Sequence, residues 1–176
     1  TCAKGTTGSP CDDSSSCSGG DSCVGGFCGC EGAAFEALPV APNVMIVLDR
    51  SRSMERDVNG DVVALDDPTS KWNIARSAIA QLGADFGDQV RFGLSIYPGA
   101  SDICEPGSIS VDLAVGTMSL ILSEIDAFGP AGATPTGDTL QQLIGHPGLA
   151  DVTRPNHVLL LTDGAAGCSN DPGLPG

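Results

Sequence analysis

The sequence predicts an α/β domain with a mostly parallel sheet over residues 43–176, preceded by a small disulfide-rich module at residues 1–30. Three observations predict it. Short apolar runs recur near residues 43–48, 90–97 and 157–162, and segments with apolar residues at helical spacing lie between them. That alternation is the pattern of a sheet layered with helices. The first run, NVMIVLD, shows no polar alternation, as expected of a strand covered on both faces at the centre of a parallel sheet. Six of the eight cysteines fall in the first 30 residues, a stretch too short to bury a core.

Those six are Cys2, Cys11, Cys17, Cys23, Cys28 and Cys30, separated by eight, five, five, four and one residues. Zinc sites usually show paired C-x₂₋₄-C knuckles, so disulfides are the better reading. Six cysteines permit about 15 pairings, and the sequence does not choose among them. Disulfides place the chain in an oxidising compartment, secreted or on a cell surface. Residues 31–42, EGAAFEALPVAP, read as a linker.

From Asn43 the elements follow in order. Residues 43–49 form the first strand. Ser70 is placed to cap a helix over about 71–86, in which Trp72, Ala75, Ile79 and Leu82 would face the sheet. Residues 90–97 alternate, putting Val90, Phe92, Leu94 and Ile96 on one face of a second strand. Residues 109–115 read as a short edge strand. Thr117 would cap a helix reaching about Phe128, and Thr136 a helix over 137–144 that Gly145 ends. Residues 157–162 make the fourth strand.

The formal charge of −14 comes from 22 acidic and 8 basic side chains. Nucleic acid and anionic membrane surfaces need a cationic face, so neither is an expected partner. No apolar stretch is long enough to span a membrane. The chain starts at Thr1 with no visible signal peptide, which reads as a segment whose export signal lay upstream.

Chemistry concentrates at three strings. In NVMIVLDRSRSM, Asp49 ends the first strand and Ser51 and Ser53 follow at alternate positions. GATPTGD carries Thr134 and Thr136, and HVLLLTDG carries Asp163. Each string sits at a crossing from strand to helix, where open α/β sheets place their ligands. Hydroxyl and carboxylate oxygens suit a hard cation such as Mg²⁺.

Together the three strings resemble the metal-ion-dependent adhesion site of von Willebrand factor A domains. The resemblance implies a Rossmann-like, six-stranded, mostly parallel sheet with flanking helices, so this segment, with four strands, would lack its C-terminal strands. It implies that Ser51, Ser53 and Thr134 give hydroxyls to Mg²⁺ or Mn²⁺, and that Asp49 and Asp163 give carboxylates directly or through water. The ion would then recruit an exposed Asp or Glu of a protein partner, which is binding without bond-making. The alternative is an accessory or structural domain of a larger secreted enzyme or of a surface or pilus assembly. Arg52 departs from the family pattern, in which Gly is frequent at that place, and reads as a solvated loop arginine. The Cys-rich lead-in is loosely similar to EGF-like or EB-type modules.

Other candidates are weaker. Glu55, Asp57, Asn59, Gly60 and Asp66 can be laid on a calcium loop, but Glu55 stands where Asp is expected and flanking helices are missing. Cys104 and Cys168 follow the second and fourth strands, which should flank the Asp49 strand, so a disulfide between them would cross-link the rim of the site. No G-x-S-x-G elbow accompanies Ser51, Ser53, His157 and Asp163, and a hydrolytic triad is rejected. The expectation is a non-enzymatic binding module.

Overall fold

The computed structural model describes residues 11–12, 22–24, 27–29, 40–99, 103–164 and 166–168. Chain contacts divide the molecule into two compact units, Thr1–Pro39 and Val40–Gly176. In the first, β1 (Ser22–Val24) and β2 (Phe27–Gly29) form an antiparallel hairpin that pairs Cys23 with Cys28 in register. Cys11 and Cys23 form a disulfide. Cys2, Cys17 and Cys30, and nearly all of the linker, lie outside the described residues.

The second unit is a mixed α/β fold. Its strands are β3 (Asn43–Asp49), β4 (Arg91–Tyr97), β5 (Ser108–Ala114) and β6 (Asn156–Leu161). Its helices are a 3₁₀ turn (Arg52–Glu55), α1 (Lys71–Phe86), α2 (Met118–Ala127) and α3 (Thr136–Leu143). The sheet runs β5-β4-β3-β6; β3 is parallel to both neighbours and β5 is antiparallel to β4. Among the described residues β6 is an edge strand, and Val158 and Leu160 on it are exposed.

The period of two along the strands divides the core between two faces. Ile46 and Leu48 of β3, with Phe92, Leu94 and Ile96 of β4, pack against Trp72 and Ile79 of α1 and Met118, Ile121 and Ile125 of α2. Met45 and Val47 point the other way and meet Tyr97, Leu113 and Leu143, the last from α3. A fully buried side chain of this size contributes about 1.5–3 kcal/mol by leaving water, so the central strand is the best-anchored part of the sheet. Its carboxyl end is therefore a firm platform for whatever follows Asp49.

Helix starts depart from expectation in two of three cases. The Ser70 oxygen accepts the Asn73 N–H at 3.2 Å and caps α1 as expected. Thr117 stands at the α2 N-cap but gives it no side-chain bond; its hydroxyl donates to the carbonyls of Phe92 and Ala114 instead. A buried hydroxyl takes the nearest acceptor, and here that is the strand. Thr136 is the first residue of α3, after Pro135 at the cap, and its hydroxyl meets the Tyr97 phenol at 3.3 Å.

Candidate functional site

At the carboxyl ends of β3 and β6 hydrogen bonds link Asp49, Ser51, Ser53 and Asp163; the Thr134 hydroxyl, on loop 130–134, makes none to them among the described residues. Asp49 is completely buried, and both of its oxygens are used. Oδ1 accepts the Ser51 backbone N–H at 2.7 Å, and Oδ2 accepts the Thr162 hydroxyl at 2.7 Å. The first bond folds the chain sharply after the strand and turns the 3₁₀ segment back over the sheet. Ser51, also fully buried, places its hydroxyl 3.0 Å from that of Ser53. Ser53 donates to Asp163 Oδ1 at 2.7 Å, and the Lys71 ammonium lies 2.7 Å from Asp163 Oδ2.

Burial pushes the Asp163 carboxyl up, but the hydrogen bonds from Lys71 and Ser53 and the Lys71 charge outweigh it and hold the group below its ordinary value. Burial pushes the Tyr97 phenol up, with the Asp49 and Asp163 charges adding to it. Asp163 is thus an ionised carboxylate neutralised by an ammonium, and the nearby phenol stays protonated.

Thr134 arrives on a loop tied to its neighbours through the backbone. The Ala131 N–H donates to the Arg50 carbonyl at 2.6 Å and the Arg52 N–H to the Gly132 carbonyl at 3.1 Å. Ala133 donates to the Ile103 carbonyl at 2.8 Å, and Gly167 to the Thr134 carbonyl at 3.0 Å. The residues next to those two partners, Cys104 and Cys168, are joined as a disulfide. The loop therefore lies between two chain segments that are themselves cross-linked. Gly132 is required within it: its φ is +76°, and a Cβ there would fall 2.7 Å from Pro98 Cγ.

The acidic loop after the 3₁₀ turn does not form a cation loop. Asp57 Oδ1 accepts the N–H groups of Asn59 and Asp61, and Oδ2 accepts the Asn59 side-chain amide, so the carboxylate is spent on its own turn.

Three participants escaped the sequence reading. In the sequence Lys71 only begins a helix, although a cation in the first turn opposes the helix dipole and so signals some other anchor. Thr162 looked like the end of a strand. Arg50 followed an apolar run with no mark that its side chain would be buried.

No family model and no curated protein matches the chain. Solved structures that share its fold include two of one protein. One is the PilB minor pilin from Streptococcus sanguinis, at TM-score 0.54 and 21% identity, covering 73% of this chain and 31% of that one. The other is a point mutant of the same pilin, at TM-score 0.51 and 22% identity, covering 70% of this chain and 30% of that one. The chain thus spans less than a third of the length of either pilin chain.

These findings correct the expected membership in the von Willebrand factor A family, and with it the assignment of a metal-dependent adhesion site of that family. The two structures named above are of a minor pilin, and no family model supports the other reading. Among the described residues no group of three or more His, Cys, Asp or Glu side chains is gathered to hold a metal ion. Locally, Asp49 accepts from Ser51 and Thr162 and the Lys71 ammonium neutralises Asp163, so neither carboxylate needs the family's ion to be satisfied.

Proposed function

We propose that this chain is a protein-binding component of a surface or pilus assembly, and that it acts outside the cell without catalysing a reaction. The fold shared with the minor pilin carries this reading. The disulfides support an oxidising compartment. Among the described residues no helix is long and apolar enough to cross a membrane, so insertion by such a helix is not part of the proposal. A Rossmann-like arrangement of the sheet is part of it, supported by helices packed on both faces. A groove of about 330 Å³ beside Lys71 and Asp163, walled by Met54, Val58, Ile74 and Leu160, is a surface on which a protein partner could rest. The test is mechanical shearing of cells that produce the tagged full-length protein. Recovery with the sheared filaments supports the assembly role; recovery only in the intracellular fraction rejects it.

A second reading concerns the oxygen cluster, in which Asp49, Ser51, Ser53, Thr134 and Asp163 would hold Mg²⁺ or Mn²⁺. It is supported by the 3.0 Å between the Ser51 and Ser53 hydroxyls, which matches the edge of an octahedron with metal–oxygen bonds of about 2.1 Å. Such a cation would give a partner's Asp or Glu something to bind on a chain of charge −14. Thermal melts with EDTA and with millimolar Mg²⁺ or Mn²⁺ test it, wild type against Ser53→Ala. A ligand at 100 times its Kd stabilises by about 2.7 kcal/mol. A rise confined to wild type supports the site, and equal curves reject it.

A further inference from the structure

Two charged side chains are buried among the described residues, Asp49 and Arg50. They are treated very differently. Asp49 has both oxygens hydrogen-bonded, whereas among the described residues the Arg50 side chain has no hydrogen bond and no ion pair, and its Nε is buried without a partner. Arg50 is 9% exposed and stacks on the face of Phe128, with the guanidinium carbon 5.0 Å from the ring centroid. A cation on an aromatic face gains less than a buried ion loses by leaving water.

Phe128 has a second role. It lines a cavity of about 110 Å³ together with Ile96, Pro98, Gly99, Ser108 and Ser110. The Arg50 backbone N–H donates to the Tyr97 carbonyl at 2.6 Å, so Arg50 lies alongside the start of that wall at Pro98. The unpaired guanidinium and the cavity thus share one ring and one strand end. The cavity offers apolar surface from Ile96, Pro98 and Phe128 beside Ser108 and Ser110, and the Ser110 hydroxyl also donates to the Leu94 carbonyl at 3.4 Å.

We propose that Arg50 is an anion-binding residue whose ligand is a carboxylate, bound by the guanidinium beside Phe128 with its short carbon chain in this cavity. The planar guanidinium fork fits a planar carboxylate with two parallel hydrogen bonds. A tetrahedral oxyanion would bring more charge and more acceptors than one guanidinium and two hydroxyls satisfy. The apolar wall asks for carbon behind the carboxylate. This site is separate from the oxygen cluster and does not depend on a metal there.

The experiment uses ¹⁵N-labelled full chain and follows the Arg50 Nε–H resonance by NMR during titration with sodium acetate, at constant ionic strength made up with chloride. Arg50→Lys identifies the resonance by its loss. A saturable shift of Nε–H and of the Gly99 and Phe128 amides is expected. Alongside it, the melting temperature should rise by several degrees in wild type but not in Arg50→Met. A second arm uses N-acetyl-aspartate amide. Saturation at lower concentration than acetate would point to a carboxyl side chain of a protein partner, and binding of acetate alone to a free small carboxylate. An Nε–H that is unmoved, or that drifts linearly without saturating, overturns the proposal. So does an Arg50→Met protein whose melting temperature rises with acetate as much as wild type's; the Nε–H arm decides even if that variant fails to fold.

Discussion

The Lys71 ammonium lies 2.7 Å from the Asp163 carboxylate, joining the first residue of α1 to the loop after β6 across 92 residues of sequence. The side chains are 25% and 10% exposed, so the pair falls between a solvated ion pair and a fully buried one. Exposed pairs contribute about 0–1 kcal/mol, and breaking a buried one costs about 3–5 kcal/mol. Lys71→Met should therefore destabilise by about 1–3 kcal/mol in urea unfolding, because it strands the less exposed partner. Asp163→Asn should cost less: the amide oxygen can still accept from Ser53, and Lys71 can turn to water. Equal losses in the two variants would contradict this account of the pair.

Acid should weaken the fold from a second place. The Asp151 carboxyl is lowered to about 2, first by the Thr153 hydroxyl, then by the Thr153 N–H and by Arg154. Its folded pKa lies below its ordinary value of 3.8, so the stability it contributes is complete above that value and is lost as pH falls toward 2. Asp163 shifts the same way and adds to the loss over the acid range. Asp151→Asn should lower the melting temperature at pH 6, and the gap from wild type should close between pH 4 and pH 2. A gap that stays constant over that range would show that the carboxylate's charge does not matter.

Apolar spacing made most of this fold legible. NVMIVLD became the central strand because no polar side chain interrupts it, and Trp72, Ala75, Ile79 and Leu82 became one face of α1 because their spacing follows the helical turn. Capping was less legible. Thr117 and Thr136 look like caps in the sequence, yet their hydroxyls serve Phe92 and Tyr97, which come near only after the sheet forms, and the local carbonyl of Ala114. The polar cluster followed the same rule. Asp49, Ser51 and Ser53 are visible because they are local, whereas the pairing of Lys71 with Asp163 depends on α1 starting beside β6. The family resemblance misled because it rested on residue types at three places. It gave no account of the ammonium that neutralises Asp163 or of the Thr162 hydroxyl that bonds Asp49.

The α1–α2 contact depends on the absence of a side chain at Gly83. A Cβ there would fall 2.0 Å from Met118 Cγ and 3.0 Å from Met118 Cβ, too near the root of that side chain for a rotamer change to relieve. Gly83→Ala gains up to about 1 kcal/mol of helix propensity and incurs about 1–3 kcal/mol of overpacking. The second effect should win, giving net destabilisation. The pair Gly83→Ala with Met118→Ala should recover part of the loss, since the obstructing atoms are gone. A Gly83→Ala variant more stable than wild type in urea would show that α2 yields without cost.

Reduction of the Cys104–Cys168 disulfide should loosen the rim before it unfolds the sheet. The bond closes a sequence separation of 64, for which chain entropy alone gives about 4 kcal/mol of stabilisation. The core of β3, β4 and α1 includes no residue of this rim and should keep its contacts without it. The loop carrying Thr134 does not, because it hangs between Ile103 and Gly167 through the Ala133 and Gly167 N–H groups. A double Cys104→Ser, Cys168→Ser variant should therefore lose about 2–4 kcal/mol in urea, and its Ala133 and Gly167 amides should exchange with solvent faster while those of β3 stay protected. Uniform acceleration across the sheet would mean that the disulfide supports the whole fold. No change at Ala133 would mean that the loop is held by its bonds to Arg50 and Arg52 alone.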